Sequence, residues 1–70
     1  MAAAVTITLN GDPFDLPGPL TITELLARLE IDPRGVAVER NFVVVKRDAY
    51  ATTRIEAADQ VEIVNFVGGG

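Results

Sequence analysis

The 70-residue sequence predicts an α+β domain in which a mixed sheet of about five strands packs on one helix. Three observations predict it. Apolar and polar residues alternate through Ala4–Leu9 and again from Val61 to Ile63, the period of a half-buried strand. One segment alone, Thr21–Leu29, repeats its apolar residues at helical spacing. Turn signals separate short strands on both sides of it, giving the order ββαβββ.

The elements follow from local chemistry. Val5, Ile7 and Leu9 fall on one face of the first strand, and their β-branched neighbours suit a pleated surface. Asn10-Gly11 is a hairpin signal, because both residues tolerate positive φ. Phe14-Asp15-Leu16 returns as a second strand with Phe14 and Leu16 inward; Pro13 and Pro17 confine it to an edge. Pro17-Gly18-Pro19 makes a turn. Thr21 and Glu24 have the spacing of a capping box, with Leu20 placed to staple onto Leu25. Ile22, Leu25, Leu26 and Leu29 form the apolar stripe, and Glu24 and Arg28 an i,i+4 pair on the wet side. Pro33 is expected to end the helix at Asp32.

Beyond the helix, Val36–Glu39 reads as a third strand with Val36 and Val38 inward, and Arg40-Asn41 as the following turn. Phe42–Val45 reads as a fourth strand, with Phe42 and Val44 inward and Val43 and Val45 outward. Lys46–Ala58 is a polar connector that Tyr50 and Ile55 pin to the core. Asp59-Gln60 turns into a last strand, Val61–Val67, with Val61 and Ile63 inward. Two hairpins bracketing one helix, with a final strand to pair among them, is the β-grasp arrangement, the ubiquitin-like superfold. Residues 1–67 are expected to form a single domain and residues 68–70 a flexible glycine tail.

Composition narrows the chemistry. No Cys, His or Ser occurs, so there is no disulfide framework, thiol nucleophile or imidazole base. An enzyme is not expected, and no carboxylate pair has a spacing that demands acid/base work or metal binding. A net charge of −4 argues against nucleic acid and suits a partner with a basic face. No apolar run reaches the length of a membrane span, and Met1 to Ala4 lacks the features of a secretory signal. The expected location is cytoplasmic, with no membrane partner. Arg40, Lys46, Arg47 and Arg54 cluster in one third of the chain; they read as a solvated face balanced by Glu39, Asp48 and Glu56. Glu62 and Asp59 likewise read as solvating carboxylates.

The informative stretch is Val64-Asn65-Phe66-Val67 running into Gly68-Gly69-Gly70. Three glycines cost more backbone entropy to order than any other three residues and contribute no side-chain packing. Such a tail is thin enough to thread a narrow channel, carrying the α-carboxylate expected at Gly70. If Glu62 points to water, Val64 and Phe66 lie on the outer face beside the tail's root. They then form, with Val67, a docking patch that Val43 and Val45 could extend. The plainer reading is a frayed terminus after a strand with ordinary surface hydrophobics.

Val61-Glu62-Ile63-Val64-Asn65-Phe66-Val67-Gly68-Gly69-Gly70 resembles the C-terminal signature of the ThiS family, the sulfur carriers of thiamine thiazole biosynthesis. Asp59 stands at that signature's acidic position. Val36–Asn41, the capped helix from Thr21 to Leu29, and Val44-Val45 with Arg47 are similar to further segments of the family, so the resemblance covers nearly the whole chain. Asn65 replaces the usual histidine, Lys46 a common proline, Tyr50 a common tryptophan, and Phe42 a small turn residue. The resemblance implies that a ThiF-type adenylyltransferase adenylates Gly70 with its own ATP and magnesium. A persulfide protein then supplies sulfur, and the resulting thiocarboxylate serves a ThiG-type thiazole synthase. It implies no cofactor bound by this chain. Gly68 and Gly69 would thread into the partner. Three alternatives stand beside it: a MoaD-type carrier for molybdopterin synthesis, a ubiquitin-like protein modifier, and an interaction module with an inert tail. Prolines are usual before the small residues of a MoaD-type tail, and Phe66-Val67-Gly68 has none.

Overall fold

Strand β1 spans Val5–Leu9, β2 Asp12–Leu16 and β3 Leu20–Thr21; helix α1 spans Ile22–Arg28; β4 spans Val36–Arg40, β5 Val43–Val45, β6 Arg54–Ile55 and β7 Gln60–Asn65. These elements come from a computed structural model that describes residues 3–66. Val67 and the glycine tail, residues 68–70, lie outside the described residues. The main sheet runs β2-β1-β7-β4-β5, and β3 and β6 form a separate two-stranded ribbon. Strand β7 therefore takes the centre. It runs parallel to β1 through Thr8↔Gln60 and Leu9↔Val61, and antiparallel to β4 from Arg40↔Val61 to Val36↔Asn65. A parallel neighbour cannot be reached by a tight turn, and here α1 and the β4–β5 hairpin fill the crossover. A mixed five-stranded sheet packed on one helix is the β-grasp architecture expected from the sequence.

The core lies between the sheet and the helix. Ile7 and Leu16 come from the first hairpin, Ile22, Leu25 and Leu26 from α1, and Val36, Val38 and Val61 from the central strands. Tyr50 and Ile55 are buried, as the connector reading expects. The capping box forms: the Glu24 N–H donates to Thr21 Oγ1 at 3.1 Å, and the Thr21 N–H donates to Glu24 Oε1 at 2.8 Å.

The structure corrects three expectations. The helix ends at Arg28, before Asp32. Glu30 adopts φ 58, and its N–H donates to the Ala27 carbonyl while that of Ile31 donates to the Leu26 carbonyl. This is a Schellman ending with glutamate where glycine is usual, so the usual signal is missing from the sequence. Asp32 instead caps a short 3-10 turn, Pro33–Gly35; the Arg34 hydrogen bonds to its carboxylate hold that carboxyl down at about 2.

The second correction is the turn of the second hairpin. Asn41 and Phe42 both have positive φ, 52 and 69, and the pairing resumes at Arg40↔Val43. The turn thus sits one residue later than Arg40-Asn41. A one-residue slip sends every side chain of the returning strand to the opposite face. Phe42 is 73% exposed and Val44 is exposed, while Val45 packs on the core opposite Val38. Val43 faces solvent as expected. A bulky residue held in the left-handed region carries a conformational cost of about 1–2 kcal/mol.

The third concerns Asp59, which is buried. Its Oδ2 accepts from Arg40 Nε at 2.7 Å and from the Glu56 N–H at 2.8 Å, and its Oδ1 from Asn41 Nδ2 at 3.2 Å. Arg40 is therefore an internal partner, not part of a solvated face. Burial opposes the Asp59 charge, but the Glu56 N–H, Arg40 and Asn41 together outweigh it, and the carboxyl titrates below its usual value.

Two outcomes follow for stability. Asp59→Asn should lower unfolding free energy near neutrality by about 2 kcal/mol in urea titrations, since it removes charge-assisted bonds and strands Arg40. The folded pKa of Asp59 is depressed, so its stabilisation is complete above the unfolded value of about 3.9 and is lost as pH falls through the folded value. The gap between wild type and Asp59→Asn should accordingly narrow below about pH 4. Phe42→Gly should raise the urea midpoint, with a gain of about 0.5 kcal/mol once the added chain entropy is set against the relieved strain.

Candidate functional site

The outer face of the sheet carries the candidate site. Alternation along β7 points Val61 and Ile63 to the core and Glu62 and Val64 to solvent, and Phe66 continues the outward series. Val64 is 54% exposed and Phe66 56%. The pairing Ala37↔Val64 sets Ala37 beside Val64 on the same face. Beyond the strand, the Phe66 N–H donates to the Gly35 carbonyl at 3.0 Å, so the backbone is still held as it leaves the sheet. These two side chains are brought together as expected. Val67, Gly68, Gly69 and Gly70 lie outside the described residues.

Sequence reasoning missed one contributor and misassigned another. Val44, opposite Glu39, shares the outer face, whereas Val45 does not. The signal was present: counting alternation from a turn at Asn41-Phe42 places Val44 outward, and asparagine tolerates the left-handed region. The apolar face near the tail root thus comprises Ala37, Val64 and Phe66, while Val44 lies on the same face level with Glu39 and Glu62. A β5 edge of three valines with few charges is one that folded proteins usually blunt.

At the opposite, hairpin end the same face turns polar. Thr8, Glu39, Gln60 and Glu62, with Gly11, Phe42 and the edge of Val61, line one shallow hollow of about 70 Å³. Glu39 and Glu62 sit directly opposite each other across β4 and β7. Among the described residues no group of three carboxylates converges as a metal cage, and no helix is long and apolar enough to cross a membrane. What remains is an apolar strip that ends at a glycine run, bordered by carboxylates.

Comparison with known proteins bears on this arrangement. The model of the ThiS family matches residues 7–70. Two proteins named thiazole synthase, from Paramagnetospirillum magneticum and Magnetococcus marinus, are 39% and 44% identical to this chain over 64 residues. The match covers 91% of this chain but 20% of each synthase, so the chain spans one fifth of the length of these relatives. The sulfur carrier protein ThiS of Bacillus subtilis is 40% identical over 71% of this chain and 76% of its own. The crystal structure of the thiamine biosynthesis protein ThiS from Geobacter metallireducens superposes with a TM-score of 0.83 at 38% identity, covering 94% of this chain and 100% of that one.

Because Val64 and Phe66 project outward, replacing either with aspartate should leave the fold intact. The change in unfolding free energy for Val64→Asp or Phe66→Asp is expected within about 0.5 kcal/mol, measured by thermal and urea melts. A large loss would place these side chains in the core instead.

Proposed function

The chain belongs to the ThiS family, and from that premise we propose that it is a sulfur carrier of thiamine biosynthesis whose Gly70 carboxylate is loaded and unloaded by other proteins. The observation that carries this reading is that the family match runs through Gly70, so it includes the whole glycine tail. The exposed strip on β7 leads directly into that tail and gives a partner something to hold.

The chemistry needs little from this chain. A Gly70 carboxylate oxygen attacks the α-phosphorus of ATP inside a ThiF-type adenylating enzyme, displacing pyrophosphate. The acyl-adenylate is a mixed anhydride. The terminal sulfur of a persulfide on a donor protein attacks the acyl carbon and releases AMP, forming an acyl disulfide. A second thiol cleaves its S–S bond, taking up the donor sulfur as a disulfide and leaving the thiocarboxylate. That sulfur passes to a ThiG-type thiazole synthase. Two relatives named thiazole synthase contain a segment similar to this chain within their own polypeptides; such a unit and such an enzyme work at close quarters. The absence of Cys, His and Ser suits a carrier, since its one reacting group is the terminal carboxylate and the persulfide, the base and the thiols belong to the partners.

Intact mass spectrometry tests the proposal. After incubation with ATP, magnesium, a ThiF-type enzyme and a persulfide donor, the mass should rise by the difference between one sulfur and one oxygen atom. The gain should vanish when the chain is extended past Gly70. It should also vanish in Gly69→Val, whose branched side chain blocks a channel sized for bare backbone. An unchanged mass with an enzyme shown to be active on another carrier would overturn the reading.

A further inference from the structure

We infer that the hollow at the hairpin end of the outer face receives an arginine side chain from the protein that docks along β7. The inference rests on the docking half of the carrier reading and is independent of its acyl chemistry.

Glu39 and Glu62 are directly opposed across the sheet, where like charges repel. None of the ion pairs among the described residues relieves them: Arg34 pairs with Asp32, Arg40 with Asp59 and Arg54 with Glu56. Phe42 lines the same hollow and presents its ring to solvent. Two carboxylates and an aromatic face around a hollow of about 70 Å³ complement a planar cation. A guanidinium stacks on a ring and offers paired donors to carboxylates, whereas an ammonium offers only a point charge. The hollow and the apolar strip share one face, so a single partner surface spans both. The partner surface is therefore apolar opposite Val64 and Phe66 and carries an arginine opposite Phe42.

The test uses the intact chain with a ThiF-type enzyme and a ThiG-type synthase, binding being measured at low and high salt. Glu39→Gln and Glu62→Gln should each weaken binding to one of them about two- to five-fold at low salt and flatten the salt dependence. Both substitutions should raise the melting temperature of the free chain, because they remove the repulsion. Phe42→Gly should weaken binding while Phe42→Tyr preserves it. Wild-type affinity and salt dependence in the glutamine variants would overturn the inference. Binding that follows these expectations without any mass gain at Gly70 would leave the inference standing and the sulfur chemistry refuted. If neither enzyme binds the wild type, N-acetylarginine amide titrated under NMR decides. Saturable shifts at Glu39, Phe42 and Glu62, weaker with the lysine analogue, support the site; their absence overturns it.

Discussion

The central strand is held by side-chain amides where backbone partners run out. The parallel ladder between β1 and β7 is two residue pairs long, Thr8↔Gln60 and Leu9↔Val61. Asn10 then continues it with its side chain: Oδ1 accepts from the Ile63 N–H at 2.8 Å, and Nδ2 donates to the Ile63 carbonyl at 3.3 Å. The Asn10 amide thus stands in for a peptide unit that the turn has carried away. At the start of the strand Asn41 does the same, its Oδ1 accepting from the Gln60 N–H at 2.9 Å. Asp59 ties that end to Arg40 and the Glu56 turn. Each such bond contributes about 0.5–1.5 kcal/mol, so together these residues favour insertion of β7 at the middle of the sheet.

That dependence explains which parts of the fold were legible in the sequence. The helix stripe of Ile22, Leu25 and Leu26, the capping box at Thr21, and the first hairpin at Asn10-Gly11 are local patterns with local causes, and each is found where expected. From sequence Asp59 looks like a solvating carboxylate because its partners, Arg40 and Asn41, are distant in sequence and meet it only after β7 inserts. In the second hairpin one residue sets the register. A phenylalanine followed by three valines looks like strand from its first residue, and tertiary pairing overrode that preference by holding Asn41 and Phe42 as the turn. Val44 and Val45 exchange places as a result, Val44 turning outward and Val45 inward. Glu30 hid the end of the helix for the same kind of reason: the left-handed residue there is not one that announces itself.

The candidate site was more legible than the β5 register. Val64 and Phe66 were placed outward by alternation from Val61, and the strand's central pairing leaves them there. Val44 was missed only as a consequence of the hairpin slip. The pattern of the hollow was not legible, because Thr8, Glu39 and Glu62 come from three strands whose order the alternation does not reveal.

The outer face has a direction, and that direction matters for a carrier. Its apolar end lies at the root of the tail, around Val64 and Phe66, and its acidic end at the hairpins, around Glu39 and Glu62. An apolar patch alone is nearly non-directional, since burial depends on area rather than orientation. A surface that is apolar at one end and negative at the other can seat on a complementary partner in only one sense along β7, because reversal would bury carboxylates against apolar surface. In the proposed role, that sense sets the Phe66 end of β7 against the same part of the partner every time. The β7 pairing, extended by Asn10 and Asn41 and tied at one end by Asp59, fixes the spacing of strip and hollow, so orientation is set by the sheet before the tail is threaded.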